Sequence, residues 1–307
     1  MSRVAGVIGM LLPSGIRALF PELIEGAEQT LQQAGYTLAV GASAEDRALE
    51  AEQLQRMLDR GASGLIVYAV DGPLDVPALR QLFDRGVPLV LIDRYFPGLA
   101  VDTVTMDNIG GGFIAVQHLM EQGYRRIGYM GTDNLRTSSI VERMAGYRWA
   151  LDASELQVEP DQICTALRTT PWPVPDAEIE RHNQSALRAY LDRSERPEAV
   201  FACNDYVAIQ VVQAADSLGI RIPDELGIVG FDNLSCADYF GVPLTSVEQQ
   251  FEELGATAAS LVLDRIDGRR TRLGRFVIST RLIVRRSSSR NLASGRTALG
   301  SAVPAVP

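Results

Sequence analysis

The sequence predicts an α/β protein made of two similar doubly wound parallel-sheet lobes joined by a three-strand hinge. Three observations carry this prediction. Apolar runs of strand length alternate with helical patterns along the chain, and right-handed crossovers turn such alternation into parallel sheets with helices on both faces. The rhythm breaks once, at a short strand over 103–106 that leads through Asp107-Asn108-Ile109 into Gly110-Gly111-Gly112, and then starts again as a second series. Two buried-strand patterns, Val200-Phe201-Ala202-Cys203 and Gly227-Ile228-Val229-Gly230-Phe231, run into the polar pairs Asn204-Asp205 and Asp232-Asn233. Open α/β sheets bind ligands just beyond the carboxyl ends of such strands, so these side chains stand where a polar small molecule would lie.

The elements follow in order. Residues 4–11 are an apolar strand, closed by a turn with Pro13, Ser14 and Gly15. The next helix places Leu23, Ala27 and Leu31 on one face at i, i+4, i+8 and ends at Gly35. A strand over 37–40, a helix over 47–59, a strand over 64–67, a helix over 75–83 and a strand over 89–92 complete the first series. After the interruption comes a helix carrying Phe113, Val116, Leu119 and Met120. Strands over 126–130, 162–166, 199–202 and 227–230 then alternate with helices over 142–151, 176–191 and 206–218. The strand 245–247 passes through Gln249 and Gln250 into a helix over 251–266, and 275–284 has the β-branched character of a closing strand.

With 307 residues, 46% hydrophobic and 22% charged, the chain has the length and composition of a soluble globular protein with two compact lobes. A formal net charge of -9 argues against direct binding of nucleic acid, which needs clustered Lys and Arg. Cys164, Cys203 and Cys236 form no CxxC, so no zinc or redox motif is indicated and a reducing compartment is expected. Residues 4–12 are a poor export signal, and no apolar stretch approaches the roughly 18 residues of a membrane span. A cytoplasmic protein without cofactor or metal is expected. Gly110 to Gly112 match neither GxGxxG nor GxxxxGK[ST] and read as a tight turn into a helix. His118 and His182 have no spaced Ser or Cys partner, and Asp102 and Asp107 point to opposite faces of an extended segment, so no catalytic apparatus is visible.

Together, Val90-Leu91-Ile92-Asp93-Arg94, Met106-Asp107-Asn108, Gly123-Tyr124-Arg125-Arg126-Ile127-Gly128, Glu142-Arg143-Met144-Ala145-Gly146-Tyr147, Phe201-Ala202-Cys203-Asn204-Asp205, the run from Ile222-Pro223-Asp224 to Asp232-Asn233, and Pro243-Leu244-Thr245-Ser246-Val247 resemble the effector-binding module of LacI/GalR transcription regulators. That module has the type I periplasmic-binding-protein fold. Leu19-Phe20-Pro21 and Tyr95-Phe96-Pro97 resemble the sensors of GntR/LacI hybrids such as arabinose-operon repressors. The family's Asn-Pro-Phe-Phe turn after the first strand is replaced here by Ser14 to Phe20. The resemblance implies three crossings, near Met106, Val247 and Arg275. They divide the chain into an N-terminal lobe of residues 1–106 with 249–276 and a C-terminal lobe of 107–248 with 277–286; the remainder, 287–307, rich in Ser, Ala, Gly and Pro and without periodicity, is expected to be a disordered tail. It also implies a homodimer that binds a small sugar in the interlobe cleft and closes on it. DNA would be reached only through a separate N-terminal domain, for which the chain leaves no room before its first strand. The rival readings are a solute receptor of a sugar transporter and an enzyme acting on a sugar or nucleoside.

A sugar presents neutral hydroxyls and apolar C–H faces, so its site needs carboxylate acceptors, Arg or Asn donors and an aromatic wall. The resemblance matches Asp93, Arg143, Asn204 and Asp232 to ligand contacts and places Phe251 in the cleft; Trp172, among Pro171, Pro173 and Pro175, is a second aromatic candidate. Asp205 reads instead as the N-cap of the helix that follows it, and Arg143, without the resemblance, as a solvated helix charge. Asp232→Ala and Arg143→Ala are expected to abolish ligand-induced stabilisation while leaving the ligand-free melting temperature nearly unchanged.

Overall fold

In the computed structural model the described residues are 6–13, 21–70, 76–169, 176–235, 237 and 241–290. The strands are β1 (Val7–Leu12), β2 (Thr37–Ala42), β3 (Ala62–Val67), β4 (Leu89–Ile92), β5 (Asp102–Met106), β6 (Ile127–Thr132), β7 (Ile163–Leu167), β8 (Ala199–Ala202), β9 (Gly227–Asp232), β10 (Thr245–Gln249), β11 (Arg275–Ile278) and β12 (Thr280–Ile283). The helices are α1 (Pro21–Gln33), α2 (Arg47–Asp59), α3 (Pro77–Asp84), α4 (Asn108–Glu121), α5 (Ser138–Asp152), α6 (Ala177–Leu191), α7 (Asp205–Ser217) and α8 (Phe251–Ile266).

Two six-stranded sheets result, β11-β5-β4-β3-β1-β2 and β12-β10-β9-β8-β6-β7. All neighbours are parallel except β10 and β12. Strands β4 and β8 are buried at every residue, as continuous apolar runs require when helices cover both faces. The i, i+4, i+8 stripe Leu23, Ala27 and Leu31 is wholly buried in the core of the first lobe, where α1 packs against α8.

The chain passes between the sheets after β5, after β10 and between β11 and β12. The expected single strand over 275–284 is therefore two strands: β11 pairs with β5 in one sheet and β12 with β10 in the other, with Ser279 at the crossing. Gly110 to Gly112 also differ from the expected turn, because they lie inside α4. Asp107 caps that helix, its Oδ1 accepting from the Gly110 N–H at 2.8 Å. The need for glycine comes from helix packing. A Cβ on Gly112 would stand 2.5 Å from the Arg143 carbonyl oxygen, and one on Gly146 only 2.2 Å from that of Ile109. Helices α4 and α5 thus meet backbone to backbone.

The structured body extends past Arg286. Ser287 and Ser288, expected in a disordered tail, are fully buried. Ser287 Oγ accepts from the Thr245 N–H at 2.8 Å and donates to the Ile228 carbonyl at 2.7 Å. Ser288 Oγ lies 2.8 Å from His118 Nε2 and 2.7 Å from Thr245 Oγ1. Small hydroxyls can fill a polar niche that the Ser-rich composition alone disguises as linker. Residues 291–307 lie outside the described residues. A chain ended after Arg286 strands these buried partners and is expected to lose about 2–4 kcal/mol in chemical denaturation.

Candidate functional site

Between the carboxyl ends of the two sheets lies a cavity of about 160 Å³. Its polar lining is a roll of strand ends: Tyr68 follows β3, Arg94 follows β4, Thr132 ends β6, Thr169 follows β7, Asn204 follows β8, Asp232 ends β9 and Gln249 ends β10. Parallel strands all deliver their C-terminal residues to the same edge, so one topological rule gathers side chains far apart in sequence. An engineered protein cavity of about 150 Å³ takes benzene, so this one suits a single ring.

Arg143 is the centre of the site. It projects from α5 and is 4% exposed. Its Nε donates to Asn108 Oδ1 at 2.9 Å, and Nη1 donates to the Cys203 carbonyl at 2.7 Å and lies 3.3 Å from Asp232 Oδ1. The guanidinium carbon sits 3.8 Å from the Phe231 ring centroid, a close cation–π stack. Nη2 makes no hydrogen bond among the described residues. Asp232, held at φ 109°, also accepts from Gln249 Nε2 through Oδ1, which leaves Oδ2 free. Burial pushes its carboxyl up to about 6; Arg143 opposes the shift and Asp93 adds to it. Gln249 is more than nine-tenths buried, and its Oε1 has no partner. Because Nε2 is committed to Asp232, that oxygen is a buried acceptor left without a donor among the described residues.

The other candidates are placed as follows. Asn204 lines the cavity and is itself the N-cap of α7, its Oδ1 accepting from the Val207 N–H at 2.9 Å. Asp205 is therefore not the cap. It is the first residue of the helix, fully buried, and its carboxylate accepts from Ser246 Oγ at 2.6 Å and the Leu234 N–H at 2.8 Å. Burial, followed by the charge of Asp232, pushes its carboxyl up to about 8. Phe251 forms an apolar wall at the start of α8. Asp93 stands behind the cavity lining: its Oδ2 accepts from Tyr68 Oη at 2.7 Å and Ser139 Oγ at 3.4 Å, and lies 3.5 Å from Arg94 Nε. Trp172 lies outside the described residues.

Sequence reasoning missed Tyr68, Thr132 and Gln249. The strand-end rule that singled out Asn204 and Asp232 applies equally to them. Among the described residues no group of His, Cys, Asp and Glu could hold a metal ion, and no helix is long and apolar enough to cross a membrane.

Known proteins share this architecture. Residues 116–288 match the family model of the periplasmic binding protein-like domain. The HTH-type transcriptional repressor PurR of Klebsiella pneumoniae is 31% identical over 281 residues, covering 91% of this chain and 79% of the repressor. The structure of the transcriptional regulator CelR in complex with cellobiose superposes with a TM-score of 0.77 at 28% identity, covering 92% of this chain and 84% of that one. A structure assigned to the LacI family of transcriptional regulators, from Sanguibacter keddieii, gives 0.76 at 27% identity over 92% of this chain and 98% of its own. These relatives are regulators of transcription rather than enzymes. Two parallel-sheet lobes, a polar cavity at their shared strand ends and this likeness lead to one assignment: the chain belongs to the LacI family of transcription regulators, as their effector-binding domain with the periplasmic-binding-protein-like fold.

Proposed function

We propose that the effector is an uncharged, single-ring sugar, bound between the lobes and stabilising their closed arrangement. The carrying observation is the trio Arg143, Asp232 and Gln249. They hold one another in place and leave Arg143 Nη2 as donor and Asp232 Oδ2 as acceptor at one cavity wall, with the buried, unpartnered Gln249 Oε1 beside them. Neighbouring hydroxyls of a sugar ring both donate and accept, so they satisfy such a mixed set. Phe251 offers an apolar surface to C–H groups. Among the described residues each cation lining the cavity already faces a carboxylate, Arg143 with Asp232 and Arg94 with Asp93, which disfavours a phosphate. Closure is relayed, in this reading, through a cytoplasmic homodimer to a DNA-binding domain on a separate segment; the HTH-type repressors among the relatives support that arrangement. The lobes move about the three crossings, and a ligand drives the motion by binding one arrangement more tightly than the other.

A thermal-shift screen of neutral pentoses and hexoses, disaccharides, sugar phosphates and nucleobases tests the proposal. A binder at 100 times its Kd adds about 2.7 kcal/mol. The neutral monosaccharides are expected to give the shift; a response confined to sugar phosphates or nucleobases overturns the reading.

The pH dependence is a separate check. Asp232 accepts two hydroxyl protons only when ionised, so affinity is expected to fall about tenfold per unit below pH 6 and to lose that dependence in Asp232→Asn. Ligand-free stability runs the other way. Asp205 and Asp232 both titrate above the ordinary carboxylate value, so the folded state holds their protons more tightly than the unfolded one, and their contribution to unfolding free energy declines as pH rises from about 4 to 8.

A further inference from the structure

Residues that lie outside the cavity lining hold the two lobes together directly. Tyr95 follows β4 and Arg275 lies on β11, both in the first lobe; Glu142 lies on α5 in the second. Tyr95 Oη donates to Glu142 Oε1 at 3.1 Å, and Arg275 Nη2 donates to the same oxygen at 2.7 Å. The Arg275 guanidinium also stacks over the Tyr95 ring at 4.2 Å. Nearby, the Tyr95 N–H donates to Ser138 Oγ at 3.1 Å, so the first turn of α5 is tied down as well. The second oxygen of Glu142 turns inward. Its Oε2 accepts from Asn108 Nδ2 at 3.4 Å, and Asn108 Oδ1 accepts from Arg143 Nε.

We infer that Glu142 is a positioning residue that couples lobe closure to the aim of Arg143, through the path Tyr95 and Arg275, Glu142, Asn108, Arg143. The inference rests on Arg143 as an effector contact and on no particular effector. Glu142 is 8% exposed, so a carboxylate with both oxygens committed here is costly unless donors from both lobes reach it. When the lobes part, Tyr95 and Arg275 leave together and the carboxylate is freed to swing towards solvent. Asn108 then keeps only the Met106 carbonyl, at 3.2 Å, as acceptor for its Nδ2, and the amide that holds Arg143 Nε is less tightly fixed. Closure thus aims the guanidinium before any effector arrives, and an effector that needs the aimed guanidinium favours closure in return.

The test uses the ligand-free chain, so it stands apart from the identity of the effector. Small-angle scattering reads the separation of the lobes, and the ¹⁵N-edited signal of the Arg143 Nε–H reads its hydrogen bond. Tyr95→Phe and Glu142→Gln are each expected to raise the open population about tenfold, seen as a larger radius of gyration at unchanged helical content. Glu142→Gln is also expected to move the Arg143 Nε–H resonance. A purely local structural role would lower the melting temperature and move neither. Should Glu142→Gln fail to fold, Tyr95→Phe and Arg275→Met decide. Folded variants that scatter as the wild type does, with the Arg143 signal in place, overturn the inference.

Discussion

Arg143→Ala is expected to abolish effector binding and to lower the unfolding free energy by about 3–5 kcal/mol, the cost of breaking a buried charge pair by removing one partner. The second half of this expectation corrects the sequence reading, in which ligand-free stability stays nearly unchanged. The reason is the environment of the guanidinium. Removing it leaves Asp232 facing the interior without its cation, takes the donor from the Cys203 carbonyl, frees Asn108 Oδ1 and uncovers the Phe231 ring. Asp232 does not remain ionised at full cost; with its cation gone, its carboxyl moves further above 6 and takes a proton near neutrality. Chemical denaturation at pH 7.5 measures the loss, and calorimetry with the sugar identified by thermal shift measures the binding. Arg143→Ala with wild-type stability would show that the guanidinium is not packed as described.

The other large effect lies away from the cavity. Gly146→Ala is expected to destabilise the chain by about 3 kcal/mol and to weaken effector binding at least tenfold, although a methyl group is all that is added. The new Cβ meets the Ile109 carbonyl oxygen at 2.2 Å, and nearby lie the Phe113 nitrogen at 2.8 Å and the Gly112 Cα at 3.0 Å. These atoms are backbone, so no side chain can rotate away. Helices α4 and α5 must separate, and they carry Asn108 and Arg143 respectively. Equilibrium denaturation and calorimetry on one variant read both effects. A binding loss without destabilisation would mean that the helices shift freely, contrary to the close contact seen.

Periodicity made the fold legible almost throughout, because parallel strands covered on both faces leave uninterrupted apolar runs and the crossover helices leave a stripe such as Leu23, Ala27 and Leu31. It failed where one physical pattern serves two structures. Three glycines before a helix look like a turn, and only the position of α5 shows that they make room for another backbone. Ser287 and Ser288 look like linker because composition does not reveal the niche formed by Thr245, Ile228 and His118. In the site, Asn204 and Asp232 announce themselves by ending apolar runs. Gln249 ends a strand too, yet the sequence reading passed over it as part of a crossing. Glu142 was hidden more deeply, since its partners Tyr95 and Arg275 are distant in sequence and only the assembled lobes bring them to it.

The passage of the chain between the sheets bears on the order of synthesis at the ribosome. Strands β1 to β5 emerge first, but their sheet lacks its edge strand β11, and its core lacks helix α8 with Leu254, Ala258 and Val262, until residues 250–278 have been made. The intervening residues 107–249, which supply all of the other sheet except β12, appear before that completion. The first sheet therefore waits, with apolar surface uncovered, until the strands of the other lobe up to β10 have been made.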